Sequence, residues 1–216
     1  NLKTLSKYRE LGLKTVGGGA NLEQAKQSLD LNRSIRLLAY NHSTSSVANV
    51  QLATEDSPGA NPYSEEQFKA DLASAKAENK FTIVNIKFFE CYAYPDQPVA
   101  FPTCDQPIQN QKEFFRNLID LGADLVVGTS AHQPQTYELY QNKPIYYGLG
   151  NLFFDQIYWP DTTRSLILTH YFDQNKLLQT RISPTIYDQT FRPRLLDSNE
   201  AQTFLARLIF ASPKGN

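Results

Sequence analysis

The 216-residue chain contains no methionine, only two cysteines and only three histidines. Each scarcity excludes something. Without methionine, Asn1 is not an ordinary translation start, so the chain is expected to be a processed or excised piece of a longer protein. Three histidines, His42, His132 and His170, are too dispersed to announce a metal centre by themselves. No apolar run approaches the roughly 18 residues of a membrane span, and the polar, helix-like sequence after Asn1 is not a secretory signal peptide. Charge of neither sign is in excess: 21 basic and 22 acidic residues give a formal net charge of −1. That removes the broad electrostatic reason to expect nucleic acid or an anionic membrane as partner. With 41% hydrophobic residues, the chain is expected to form one domain over 1–216 around a well-buried core.

The two cysteines enclose CYAYPDQPVAFPTC, residues 91–104, a segment rich in proline and aromatics that lacks any hydrophobic period and reads as a loop. Cys91 and Cys104 either close it as a disulfide or are two unrelated thiols. The disulfide would contribute about 3 kcal/mol in the chain-entropy model and would point to an oxidising compartment.

Elsewhere the pattern is regular. Leu2, Leu5, Tyr8 and Leu11 recur at helical spacing, and KTVGGG reads as a short strand and glycine turn. NLEQAKQSL reads as a short helix and SIRLLAY as a buried strand. SEEQFKADLASAKAEN opens with a capping box, Ser64 with Gln67, and is a helix. FTIVNIKFF is a strand, PIQNQKEFFRNLIDLG a helix with Pro107 in its first turn and Gly122 past its end, and ADLVVG a strand. Strands alternating with such helices imply βαβ units, hence an α/β fold with a largely parallel sheet and flanking helices. YELY, PIYYGLGN, RSLILTHYF and LLQTRISP have short connections and are expected to be antiparallel strands. SNEAQTFLARLIF is expected to close the chain as a helix capped by Ser198.

Several segments, in order, resemble the CapA-type proteins associated with capsule and poly-γ-glutamate synthesis, whose fold resembles calcineurin-like metallophosphoesterases. They are VGGGANLEQA at 16–25, KFFECY at 87–92, Pro107 with Gln111, LIDLGADLVVG at 118–128, GTSAHQPQ at 128–135 and GLGNLFFD at 148–155. The resemblance implies layered sheets with flanking helices, an extracytoplasmic or cell-surface location, and a metal pair. It also makes the cysteine loop an insertion, and it places an Asp and an Asn-His pair upstream of Asn1. The first strands of the sheet would then be missing from 1–216, leaving an edge to be covered by the protein's own N-terminal segment.

Where the family pattern has metal-ligating histidines, this sequence has Lys87 and Ser130, with His132 remaining. An ammonium has no lone pair to donate and a serine hydroxyl is a poor neutral ligand. Glu90 lies beside Cys91, which occupies the family's glutamate position, but one residue along a strand faces the other way. The expected site is therefore degenerate, holding no metal or a single divalent ion through His132. Lys87, Ser130, Gln135 and Asn151 are its ligand-binding candidates. Lys87 in particular could hold a carboxylate or phosphate, and an anionic polymer is the expected partner. His42 reads as a loop histidine and His170 as a half-buried strand residue. No nucleophile triad or G-x-S-x-G is present, and Gly17 to Gly19 lack the spacing of a phosphate-binding loop. Three functions remain open: binding or assembly without metal catalysis, metal-dependent hydrolysis with ligands from the upstream segment, and a structural or filament-forming role.

Overall fold

Short apolar runs rich in β-branched and aromatic residues build the centre of the molecule. They are β3 (Ile35–Asn41), β5 (Phe81–Lys87), β6 (Leu125–Thr129) and β8 (Lys143–Tyr146). In the computed structural model, which describes residues 2–42, 51–88, 105–157 and 160–211, these four lie parallel and adjacent in a six-stranded sheet. Its edges are β2 (Leu29–Asp30), antiparallel to β3, and β7 (Tyr137–Tyr140), antiparallel to β8. The cysteine loop, with Cys91, Cys104 and any disulfide between them, lies outside the described residues.

Helix α3 (Glu65–Ala77) connects β3 to β5 and α4 (Asp105–Asp120) precedes β6, so both βαβ units exist. Alternation along each strand sends Leu38, Tyr40, Val84, Ile86 and Val126 to the helical face, where Phe68, Leu72, Phe115 and Leu118 meet them. Each fully buried side chain of this kind contributes about 1.5–3 kcal/mol. Ile35, Ile83, Leu125 and Val127 point to the opposite face and pack on Leu168, Phe172 and Ile182. Those residues belong to β9 (Arg164–Asp173) and β10 (Lys176–Tyr187), which form a three-stranded antiparallel sheet with β11 (Pro193–Leu195). Helix α5 (Ser198–Ala211) covers that sheet through Phe204 and Leu208. The N-terminal α1 (Leu2–Glu10) buries no residue, and the short α2 (Leu22–Ala25) follows the two-residue strand β1 (Gly18–Gly19).

Three expectations need correction. The segment KTVGGG contributes only Gly18–Gly19 to a strand, paired with β4 (Gly59–Ala60). PIYY is antiparallel to β7 but parallel to β6, with Val126 opposite Ile145, so it extends the parallel sheet. Helix α5 is capped by Asp197 instead of Ser198: Glu200 N donates to Asp197 Oδ1 at 2.9 Å, and Asp197 N donates to Glu200 Oε2 at 3.0 Å. A reciprocal box needs an acid three residues after the cap, and Asp197 has Glu200 where Ser198 would have Ala201. On its outer side β3 is partly paired by the described residues. Strand β2 pairs with Arg36 and Leu37, while Asn41 N donates to Asn61 O and Tyr63 N to Asn41 O.

Arg36 secures that edge. It is 8% exposed and bonds Asp30 on β2 and both Ser74 and Glu78 at the end of α3. The hydrogen bonds from Arg36 and Lys80 hold the Asp30 carboxyl down at about 2.

Candidate functional site

Parallel sheets collect their ligands at the carboxyl ends of the strands, and here that end carries an unusual set of polar atoms. The register puts Asn41, Lys87 and Thr129 side by side in one row across β3, β5 and β6. His42, Phe88 and Ser130 each follow directly. Among the described residues, Lys87 Nζ, Ser130 Oγ, His42 Nδ1, Tyr63 OH and Asn61 Oδ1 are buried without a hydrogen-bond partner. A hydroxyl or amide left so costs about 1–3 kcal/mol, and a charged group more. Five such atoms on neighbouring segments are therefore a concentrated penalty at one end of one sheet.

Two faces divide the set. Lys87 continues the row of Ile83 and Asn85, on the side covered lower down by β9 and β10. His42 continues the row of Leu38 and Tyr40 toward the helices, where it meets Phe114 at 4.0 Å, Phe88 at 5.2 Å and Tyr63 at 5.5 Å between ring centroids. Burial among these rings pushes the His42 imidazole below its ordinary 6.5. His170, which bonds Thr180 Oγ1 at 2.8 Å, is pushed down by burial as well. Both histidines take up a proton more readily in the unfolded chain, so stability is lost as pH falls from about 6.5 toward the lower folded-state values. The urea midpoint is expected to drop between pH 7.5 and 5.5, and His42→Phe should remove part of that drop. An unchanged midpoint would contradict the neutral, buried assignment.

Ser130 has φ +100°, a backbone region that strongly favours glycine and is strained for serine. Two residues on, the carbonyl of His132 accepts from Asn151 N at 3.3 Å, and the imidazole lies 5.4 Å from the Phe154 ring. Asn151 Nδ2 donates to Thr162 O at 3.2 Å and Gln156 Oε1 at 3.3 Å. These bonds are those of a turn anchor, tying the His132 loop to the start of β9. Leu152, Phe153 and Phe154 beside it are exposed.

Gln135 is 1% exposed and lies behind the site, not in its mouth. Gln111 Nε2 on α4 donates to Gln135 Oε1 at 3.2 Å and to Tyr147 O at 3.1 Å. Below this pair, Arg116 donates to both oxygens of Glu138, and the Tyr147 hydroxyl to one of them. Burial pushes the Glu138 carboxyl up, but those hydrogen bonds outweigh it and hold it below its usual range. These contacts fix α4, β7 and β8 relative to the His132 loop.

Sequence reasoning named Lys87, Ser130 and His132, which lie at or just beyond the ends of β5 and β6, together with Gln135 and Asn151, which are a buried framework residue and a turn anchor. It set aside His42, and it missed Asn61 and Tyr63. The alternation Leu38, Tyr40, His42 was the available signal for the first. The described residues do not fit a metal pair: no three His, Cys, Asp or Glu side chains among them converge.

Comparison with known proteins gives a consistent picture. The profile described as "Bacterial capsule synthesis protein PGA_cap" matches residues 2–156. The chain is 26% identical over 210 residues to the "PGA biosynthesis protein CapA" of Bacillus subtilis, covering 95% of this chain and 51% of that protein. It is 26% identical over 177 residues to the "Capsule biosynthesis protein CapA" of Bacillus anthracis, covering 80% of this chain and 40% of that one. A "probable polyglutamine synthesis accessory protein" of Mycobacterium tuberculosis is 26% identical over 160 residues, covering 69% of this chain and 39% of that protein. The chain spans about half the length of the curated relatives it matches.

Proposed function

The chain belongs to the bacterial capsule synthesis family PGA_cap, and from that membership we propose that it serves the synthesis of an anionic cell-surface polymer as a binding or assembly protein, its site working without a metal pair. The observation that carries this reading is the chemistry at the ends of β5 and β6. Where a two-metal hydrolase needs lone-pair donors, this chain buries the Lys87 ammonium and the Ser130 hydroxyl without partners among the described residues. A fixed cation supplies positive charge in the place of a metal, but it cannot activate water as a metal does. The site can hold an acidic group and has no described means of hydrolysing it. The names of the relatives, which concern capsule, PGA and polyglutamine synthesis, support a surface polymer as that partner and an extracytoplasmic site of work, and the buried ammonium is what favours an acidic one.

Binding of the full-length protein to poly-γ-glutamate in the presence of EDTA tests this reading. Binding is expected to survive chelation and to weaken with salt, as ion pairing does. Binding that vanishes with EDTA and returns with manganese or zinc would favour a metal-dependent hydrolase completed by ligands outside 1–216.

A further inference from the structure

Lys87 makes a more specific statement than the site as a whole. Its Nζ is shielded from solvent, and among the described residues it has neither a hydrogen-bond acceptor nor an ion-pair partner. Other buried or half-buried basic side chains of this protein are matched: Arg36 by Asp30 and Glu78, Lys80 by the same two acids, Arg116 by Glu138, Lys143 by Asp124. An ammonium taken out of water with no counter-charge costs several kcal/mol even after relaxation. The usual compensation is an anion close enough to accept its hydrogen bonds.

A second, independent observation lies one strand away. Thr129 is the register partner of Lys87, and the next residue, Ser130, is held at φ +100° with its hydroxyl also unpartnered. Backbone strain of that kind persists where the surrounding structure imposes it, and it clusters at ligand clamps. The Ser130 Oγ–H is a neutral donor on the strand neighbouring the cation. An ammonium and a hydroxyl, both lacking acceptors at adjoining strand ends, form a donor set that suits an oxyanion and no cation.

We infer that the ends of β5 and β6 form a binding site for a single oxyanion, a carboxylate or phosphate group, with Lys87 as its counter-charge and Ser130 as a hydrogen-bond donor. This rests on the location of the site proposed above and adds the identity of the bound group. It also has an energetic signature: the residue that binds the anion destabilises the empty protein. Lys87→Met keeps the length of the side chain and removes the uncompensated charge, so ligand-free protein should melt higher by about 3 °C while losing the anion response.

The test is thermal unfolding of the full-length protein titrated separately with inorganic phosphate and with glutarate, at constant ionic strength. Wild type should show a saturable rise with at least one probe, about 3 °C at 10 mM for a dissociation constant of ~1 mM. Lys87→Met and Lys87→Gln should each lose it, and Ser130→Ala should weaken it. Comparison with the variants cancels the general stabilisation that phosphate exerts on any folded protein. A response to glutarate alone identifies a carboxylate site, and a response to phosphate alone a phosphate site. No saturable response in wild type, or one undiminished in both Lys87 variants, overturns the assignment. The polymer-binding reading stands or falls apart from it, because poly-γ-glutamate binding that persists in Lys87→Met would refute only the role given to the lysine.

Discussion

Arg116→Met is expected to destabilise the protein by about 3–5 kcal/mol, measured as the loss of unfolding free energy in urea. The Glu138 side chain is 1% exposed, and Arg116 reaches both of its oxygens from α4. Removing the guanidinium strands a carboxylate that cannot reach water, with the Tyr147 hydroxyl as a remaining donor. Arg116 also lies 4.9 Å over the Tyr140 ring, so part of the loss is packing. Neutralising the acid separates the two contributions: Arg116→Met with Glu138→Gln should recover more than half of the loss. A single variant within 1 kcal/mol of wild type would mean that this ion pair does not hold α4 against β7 and β8. The site should suffer as well, because the same elements carry Gln111, Gln135 and the loop leading to His132.

A comparable effect is expected from one methyl group at Gly128. A Cβ there would lie 2.1 Å from the Tyr147 carbonyl oxygen and 2.6 Å from the edge of the Phe115 ring. One neighbour is the backbone of the adjacent parallel strand and the other is a fully buried ring. Neither can withdraw without moving β8 or α4, so Gly128→Ala should cost about 3 kcal/mol or more. Because Gly128 is two residues from Ser130, anion binding should be lost even in molecules that still fold. Gly18→Ala is the natural control, since its Cβ would meet nothing nearer than 3.6 Å. Equal melting temperatures for the two variants would show that β6 and β8 are not packed as described.

These two positions also show what sequence can and cannot reveal. The strands β3, β5 and β6 were legible because each is a short apolar run bounded by turn residues. Helix α3 was legible because Ser64 accepts from Gln67 N at 3.2 Å, as its spacing foretold. The second half of that capping box failed, since the Gln67 side chain turns to Asp71 instead. The antiparallel pairing of β7 with β8 was equally local: Gln141 and Asn142 both take positive φ in the two-residue turn between them. What lay beyond reach was the parallel contact of β8 with β6, which joins residues far apart and leaves no period of its own. The same holds for the site. Lys87 and Ser130 were legible as departures from a family pattern, but their lack of partners is a property of packing. The packing of His42 was not legible, because it is made by Tyr63, Phe88 and Phe114, from three separate segments.

If the strand ends bind an acidic group without a metal pair, as proposed, binding does not depend on added metal. The most direct measurement is the binding isotherm of full-length protein with poly-γ-glutamate, recorded with and without EDTA, with metal content determined on the same sample. One affinity in both conditions is expected, with far less than one equivalent of manganese, iron or zinc per chain. An affinity that collapses on chelation, together with about one or more equivalents of metal that disappear in His132→Ala, would contradict it.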